Sequence, residues 1–275
     1  MSGWFETGGV ILAAVMGAGG GRAFSRLKNP HWGWGYFLPS AVIVFLLVAT
    51  YTGLSSFVPA IVWFSGGRAR FVIIAVAVAM GSMTLVGRLK NPVEKAVVLI
   101  LMIGVVIWSA VLPFLVPTLI KNDLMNLKTR LDDNNICVQT TNYTCGPAAA
   151  VTALRQLGLP AQEGELAVLS HSGPFVGTLP WSLYKAIQDR YGPQGLDCRF
   201  RHFDSVSQLR EADVTLAVVK DAFLVDHCVA VIEVGNDTVT IADPVLGRLT
   251  MSYKDFEGIW RFYGIALKSA FSQKG

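Results

Sequence analysis

The sequence predicts a two-part fold: an α-helical membrane domain of about four spans, then an α+β domain with an antiparallel sheet. Three observations predict it. Hydrophobic residues make up 52% of the 275 and charged residues only 15%, too little charge for a wholly soluble chain. The charge is also uneven: residues 1–120 hold eight Lys/Arg and two Asp/Glu, leaving fifteen of the 23 and seventeen of the 19 for residues 121–275. After residue 120, helix-period segments come first and β-branched, alternating segments follow. The predicted boundaries are 1–120 for the helical domain, 121–135 for a polar stalk and 136–275 for the α+β domain.

A spanning helix needs roughly 20 mostly apolar residues. Residues 96–120 carry no charge and give the strongest span; 71–87 and 36–54 give two more. The fourth, 7–22, is short and rich in glycine. Residues 56–64 (SFVPAIVWF) are too short to cross and read as an interfacial or re-entrant piece. Ser25-Arg26-Leu27-Lys28-Asn29-Pro30 recurs as Gly87-Arg88-Leu89-Lys90-Asn91-Pro92, each copy between two apolar segments. The basic residues end one helix and the proline starts the next. By the positive-inside rule these turns face the cytoplasm. Four spans then place the α+β domain on the non-cytoplasmic side of a bacterial-type plasma membrane, with the lipid bilayer as one partner. No charge lies inside a span, which argues against an ion path. The net charge of +4 is dispersed, so nucleic acid is not an expected partner.

In the second half, helices are expected at 145–157, 163–170, 179–190 and 206–211. Strands are expected at 198–203, 214–219, 228–234, 238–242 and 261–267. Leu124, Leu127 and Leu131 give the stalk a helical spacing.

The chemistry lies in Gln139-Thr-Thr-Asn-Tyr-Thr-Cys145-Gly146-Pro147-Ala-Ala-Ala. Pro in a first turn marks a helix start, so Cys145 sits at a helix N-terminus, where the macrodipole stabilises a thiolate. A thiolate nucleophile needs a base. His31 falls in a membrane turn, His171 in a loop and His202 at a strand end. His227 opens the apolar strand HCVAVIEV, which can hold an imidazole rigidly. Asp243 ends the next strand and would reach His227 across a hairpin, fixing its tautomer. Asp226, the rival, should point away because neighbours on a strand alternate faces. The Gln139 amide and the Cys145 backbone N–H could donate to an oxyanion.

This arrangement resembles the papain-like cysteine peptidases. It is more closely similar to the bacteriocin-processing (double-glycine leader) peptidases, family thirty-nine of that group, over residues 136–268. The resemblance rests on Gln139…Cys145-Gly146-Pro147, on His227 in its strand and on Asp243-Pro244. It implies Cys145 as nucleophile, His227 as base, Asp243 as its orienting group and Gln139 as oxyanion donor, with a peptide or protein substrate. Two departures stand out. Exporter-fused members carry the peptidase first, whereas here the membrane half comes first. No G-x-x-x-x-G-K-[ST] string is present, so an export ATPase would act in trans. The chemistry carries over; cleavage after a double glycine does not follow.

Cys137, Cys198 and Cys228 read as core residues, and Cys198 with Cys228 could pair outside the cytoplasm. No zinc spacing occurs, and no metal or cofactor is expected. Phe175, Trp181 and Tyr143 read as core before groove. The expected function is a membrane-anchored peptidase acting on an exported or membrane-associated peptide. The alternatives are an inactive module that captures a peptide for export, and acyl transfer in place of hydrolysis.

Overall fold

The structure is a computed structural model that describes residues 3–52, 69–222 and 225–269. The segment 56–64 lies outside the described residues. The chain divides into two compact units, residues 1–54 with 68–119, and residues from 120 onward.

The first unit holds α1 (Gly3–Ser25), α2 (Trp34–Thr52), α3 (Ala69–Val86) and α4 (Pro92–Leu119), the last with a π turn at Ile107–Val111. Among the described residues three helices are long and apolar enough to cross a membrane: His31–Ala49, Ala69–Val86 and Pro92–Leu119. The expected fourth, α1, is a 23-residue helix whose glycines dilute its hydropathy. Those glycines have a structural use. A Cβ on Gly17 would come within 2.6 Å of the Val76 carbonyl oxygen, and one on Gly21 within 2.2 Å of that of Met80. Glycine at i and i+4 thus lets α1 lie directly against the α3 backbone, as small residues do between membrane helices. The buried hydroxyl of Thr84 on α3 reaches the carbonyls of Met80 (2.8 Å), Gly35 (3.0 Å) and Gly21 (3.2 Å), joining α1, α2 and α3. The two repeated turns meet: Arg88 donates to the Leu27 carbonyl and stacks 5.1 Å over Trp32. Asn91 caps α4, accepting from the Val93 N–H at 2.9 Å, with Pro92 in the first turn.

The second unit is α+β. Short α5 (Lys121–Met125) is followed by the pair β1 (Arg130–Leu131) and β2 (Cys137–Val138), then α6 (Cys145–Gln156), α7 (Glu163–Leu169) and α8 (Pro180–Tyr191). Six strands follow: β3 (Leu196–His202), β4 (Val214–Ala222), β5 (Val225–Val234), β6 (Thr238–Asp243), β7 (Gly247–Ser252) and β8 (Trp260–Ser269), with α9 (Tyr253–Ile259) between the last two. The sheet order is β3-β8-β4-β5-β6-β7, and every neighbouring pair is antiparallel. Residues 121–131 pack onto this unit. Leu124 is buried, and Gly164 lies so close that a Cβ there would meet the Leu124 carbonyl at 2.5 Å.

The helical expectations match α6, α7 and α8, while 206–211 is a 3-10 turn. Sequence reading missed β7 and α9. β7 is an edge strand with a half-exposed pattern and no long apolar run, and α9 is only seven residues.

Alternation sorts the strand residues onto two faces. Leu216, Ala230, Ala242, Ile265 and Leu267 pack with α6 and α8. Ala217, Val229, Val231, Ile241 and Trp260 pack with Phe203 and Phe256 on the other side. α6 is buried from Gly146 to Leu154, and its alanines keep it thin enough to lie close on the sheet. The proposed pairing of Cys198 with Cys228 is corrected: both are free, and β8 and β4 lie between their strands. Three strand spacings are roughly 14 Å, about twice what a disulfide bridges.

Candidate active site

Cys145 is the first residue of α6 and is only partly exposed. The turn before it is fixed by Thr144, whose buried hydroxyl accepts from the Thr141 N–H (3.2 Å) and reaches the Thr141 carbonyl (3.1 Å). Gly146 sits in a crowded place: an added Cβ would stand 3.1 Å from Thr178 and 3.2 Å from Leu183, so those side chains would have to give by a few tenths of an ångström. Thr178 in turn donates to the Tyr143 carbonyl at 3.1 Å. The Cys-Gly-Pro string is therefore a helix start wedged against a neighbouring loop.

His227 lies near the start of β5. Its Nε2 is 3.0 Å from Asp243 Oδ1, and the Cys145 thiol is near enough to bear on the imidazole electrostatically. With Nε2 on Asp243, Nδ1 is the nitrogen left for the thiol. A β-bulge makes the first contact. From Val234↔Val239 and Glu233↔Thr240 the register shifts by one to Val231↔Ile241 and Ala230↔Ala242. Without the shift Asp243 would oppose Ala230, on the opposite face to His227. With it, the pairing ends at Ala230↔Ala242, and Asp243, the next residue of β6, reaches His227 near the start of β5.

Asp243 is buried, and its Oδ1 also accepts from the backbone N–H of Val245 (2.7 Å) and Leu246 (3.2 Å). It thus both starts a turn and holds the imidazole. Burial pushes this carboxyl up, but the His227 hydrogen bond, the two N–H donors and the His227 charge hold it below the usual carboxylate range. For His227, burial acts downward and is the largest single influence. The Asp243 hydrogen bond and the interaction with the Cys145 thiol, with the charges of both, outweigh it and raise the imidazole from 6.5 to about 10. Asp226 points elsewhere and pairs with Arg261 at 2.7 Å.

The Gln139 N–H donates to the Pro244 carbonyl at 3.0 Å, which pins this residue beside the Asp243 turn. Its side-chain amide makes no hydrogen bond among the described residues, and Oε1 is buried. The other cysteines behave as core thiols: burial first of all pushes Cys137 and Cys198 up to about 12, and raises Cys228 as well. Trp181 packs on Tyr184 and Phe200, while Phe175 stays partly exposed in the loop closed by Gly173↔Gly177. No group of three or more His, Cys, Asp or Glu suited to a metal occurs among the described residues.

Sequence reading missed Glu163. It is fully buried, and its two oxygens accept the Thr140 N–H (2.8 Å) and hydroxyl (2.6 Å). It thereby anchors the loop between Gln139 and Cys145. An acid in the first turn of a helix is expected from the macrodipole alone, which masked this second use.

Residues 133–272, half of the chain, match the model of the Peptidase C39 family. The chain belongs to that family. An uncharacterized protein of Methanothermobacter thermautotrophicus is 32% identical to the C39 region over 134 residues, 49% of this chain and 88% of that one. An uncharacterized protein of Methanothermobacter marburgensis is 30% identical over 138 residues, 50% and 91%. Among solved structures, the peptidase domain of Streptococcus ComA, a bifunctional ABC transporter involved in a quorum sensing pathway, is similar with 21% identity and a TM-score of 0.42, over 48% of this chain and 96% of that one. A double glycine motif protease from an AMS/PCAT transporter, in complex with the leader peptide, is similar with 15% identity and a TM-score of 0.39, over 53% and 96%. The C39 domain follows the helical unit in this chain.

Proposed function

We propose that the C39 unit hydrolyses a peptide bond through Cys145, His227 and Asp243, and that the helical unit anchors it in a membrane. The observation that carries the reading is a helix-starting thiol beside an imidazole that is itself hydrogen-bonded to a buried carboxylate. His227 takes the proton of the Cys145 thiol as general base. The thiolate sulfur attacks the substrate carbonyl carbon, and the oxyanion faces the Cys145 N–H and the Gln139 amide. His227 gives its proton to the leaving nitrogen as the C–N bond breaks. It then takes a proton from water, whose oxygen displaces sulfur from the thioester. Asp243 holds the ring through both steps.

Three helices long and apolar enough to cross a bilayer support the anchoring. A helix of 28 residues extends about 42 Å, more than a hydrocarbon core. If α4 crosses, a cytoplasmic start at the second basic turn puts residues after 119 on the other face. The substrate is then an exported or membrane-associated peptide. The family's relation to leader peptidases supports a peptide ligand. The domain limits that go with this reading are 1–120, 121–135 and 136–275.

The test compares alkylation of the cysteines by iodoacetamide at pH 6, read by mass spectrometry, in the native chain and in His227→Ala. Preferential labelling of Cys145 that vanishes in the variant supports an activated pair. Labelling of Cys145 no faster than Cys137 or Cys198 in both proteins would replace the peptidase with a peptide-capture module.

A further inference from the structure

The duplicated basic turn plays no part in the proposed chemistry, yet the fold brings its two copies together. Arg88 of the second copy donates to the Leu27 carbonyl of the first and stacks on Trp32 just after it. One end of the helical unit therefore gathers Arg22, Arg26, Lys28, Arg88, Lys90 and Lys95. Five of these are exposed, and Lys95 is half-buried. Residues 1–120 contain only two carboxylates. Glu94 lies at this end, and Glu6 is in the first turn of α1, at the opposite end of that helix. Arg22, Arg26, Lys28, Lys90 and Lys95 form no ion pair among the described residues. Like charges held together in this way repel unless a counter-anion is supplied.

The surroundings say which anion. Immediately after the first turn Trp34 is 61% exposed and Phe37 67%, and just inside the second turn Val93 is 67% exposed. Basic side chains bordered by exposed aromatic and aliphatic ones match the boundary between headgroups and acyl chains. A soluble anion would leave that apolar rim uncovered. We propose that the paired Arg-Leu-Lys-Asn-Pro turns form a docking surface for the headgroups of anionic phospholipids. Arg26, Lys28 and Lys90 act as the exposed cations, and Arg88 clasps the two turns together. The proposal rests on the membrane reading of the helices and is independent of the peptidase reading.

The experiment uses the full chain in a mild detergent and native mass spectrometry. Phosphatidylglycerol and phosphatidylcholine with identical acyl chains are titrated in parallel, and bound lipids are counted. Each basic residue near an anionic surface is worth about fivefold, so Arg26→Gln/Lys28→Gln/Lys90→Gln should weaken phosphatidylglycerol retention on the order of a hundredfold. It should leave phosphatidylcholine retention unchanged. The native protein gives a second reading that needs no variant: its preference should shrink as ionic strength rises. Equal retention of the two lipids, or a preference insensitive to both salt and the substitutions, would overturn the proposal. So would displacement of the lipid by millimolar inorganic phosphate, which would mark a soluble-anion site. Alkaline carbonate washing separates the two failures. Protein released by the wash defeats the membrane reading itself, whereas retained protein without lipid preference defeats this proposal alone.

Discussion

In the helical unit Leu12, Phe37, Ile100 and Trp108 are 61–69% exposed, whereas in the C39 unit Leu154, Leu166, Ile187 and Leu216 are fully buried. The interiors differ as sharply. Between α1 and α3 the close contacts are Gly17 against Val76 and Gly21 against Met80, whereas the C39 unit buries branched aliphatics and the rings of Tyr191, Phe203 and Trp260. Most of the exposed large side chains lie in the helical unit, where Phe71 and Phe114 are buried exceptions, and most of the buried ones lie in the C39 unit. A chain that turns its bulk outward is suited to an apolar solvent, and its helices then hold together by backbone proximity and hydrogen bonds. The C39 unit is held by burial, and it can therefore also bury a carboxylate such as Asp243 beside an imidazole.

The sharpest way to break this contrast is to remove the imidazole. His227→Ala should lower peptide cleavage by roughly 10²–10⁴-fold, the usual worth of a general acid–base group. The helical content of the detergent-solubilised protein should not change. Circular dichroism with a cleavage assay checks both; a loss of helix would show that the two units do not divide structure from chemistry. Gln139→Ala should cost about 10²–10³-fold if its amide meets the oxyanion, carried in kcat with KM little changed. A rise in KM alone would make Gln139 a substrate-binding side chain.

The pH dependence sharpens the same side. His227 is raised to about 10 and Asp243 is lowered. The stability His227 contributes is fully present below its ordinary 6.5 and is lost as pH rises through about 10; that of Asp243 is present above the ordinary carboxylate range and lost as pH falls below it. The leaving amine needs the imidazolium, so cleavage should fall as pH passes through the His227 value. In Asp243→Asn, which removes the charge but keeps an acceptor, that basic limb should move toward neutral pH. A limb that stays in place would assign it to another group.

On the other side of the contrast, Gly21→Leu drives a side chain into the Met80 carbonyl. Overpacking of this kind costs about 1–3 kcal/mol. The variant should lose thermal stability of the helical unit, followed by far-UV signal, while Cys145 alkylation at pH 6 stays native. Parallel loss of alkylation would mean that the site depends on the helical packing.

How much of this was legible follows the same division. The apolar exterior of the helices is written in composition, since long uncharged runs have few other uses. The contact between α1 and α3 was not: glycine lowers the hydropathy of 7–22 and reads as weakness, although Gly17 and Gly21 are where the helices touch. In the C39 unit, Cys145 and His227 were legible because a helix start and an apolar strand each give a local signal. Asp243 was read beside His227 from the hairpin, and the two meet at 3.0 Å, but the register shift near Ile232 between their strands is one that no local pattern announces. Glu163 lies 23 residues from the threonine it holds, and non-local pairing of that kind leaves no periodicity to read.

Glu163 also supplies the smallest expected effect, and the one that asks how a polar group is used inside the C39 unit. Its two oxygens serve one residue, the Thr140 N–H and hydroxyl. Glu163→Gln keeps an acceptor for the N–H, and the hydroxyl has a second acceptor in the Lys128 carbonyl at 3.4 Å. The cost should be about 1 kcal/mol, that of an ordinary hydrogen bond, with Cys145 alkylation within a fewfold of native. Glu163→Ala leaves the Thr140 N–H unpaired and should cost about 1–3 kcal/mol. Denaturant unfolding followed by Trp260 and Trp181 fluorescence measures both. If Gln and Ala are equally damaging, the negative charge holds the loop before Cys145. If Gln is mild and Ala severe, the loop is held by acceptor geometry, and the buried carboxylate is a hydrogen-bonding frame for the thiol's approach.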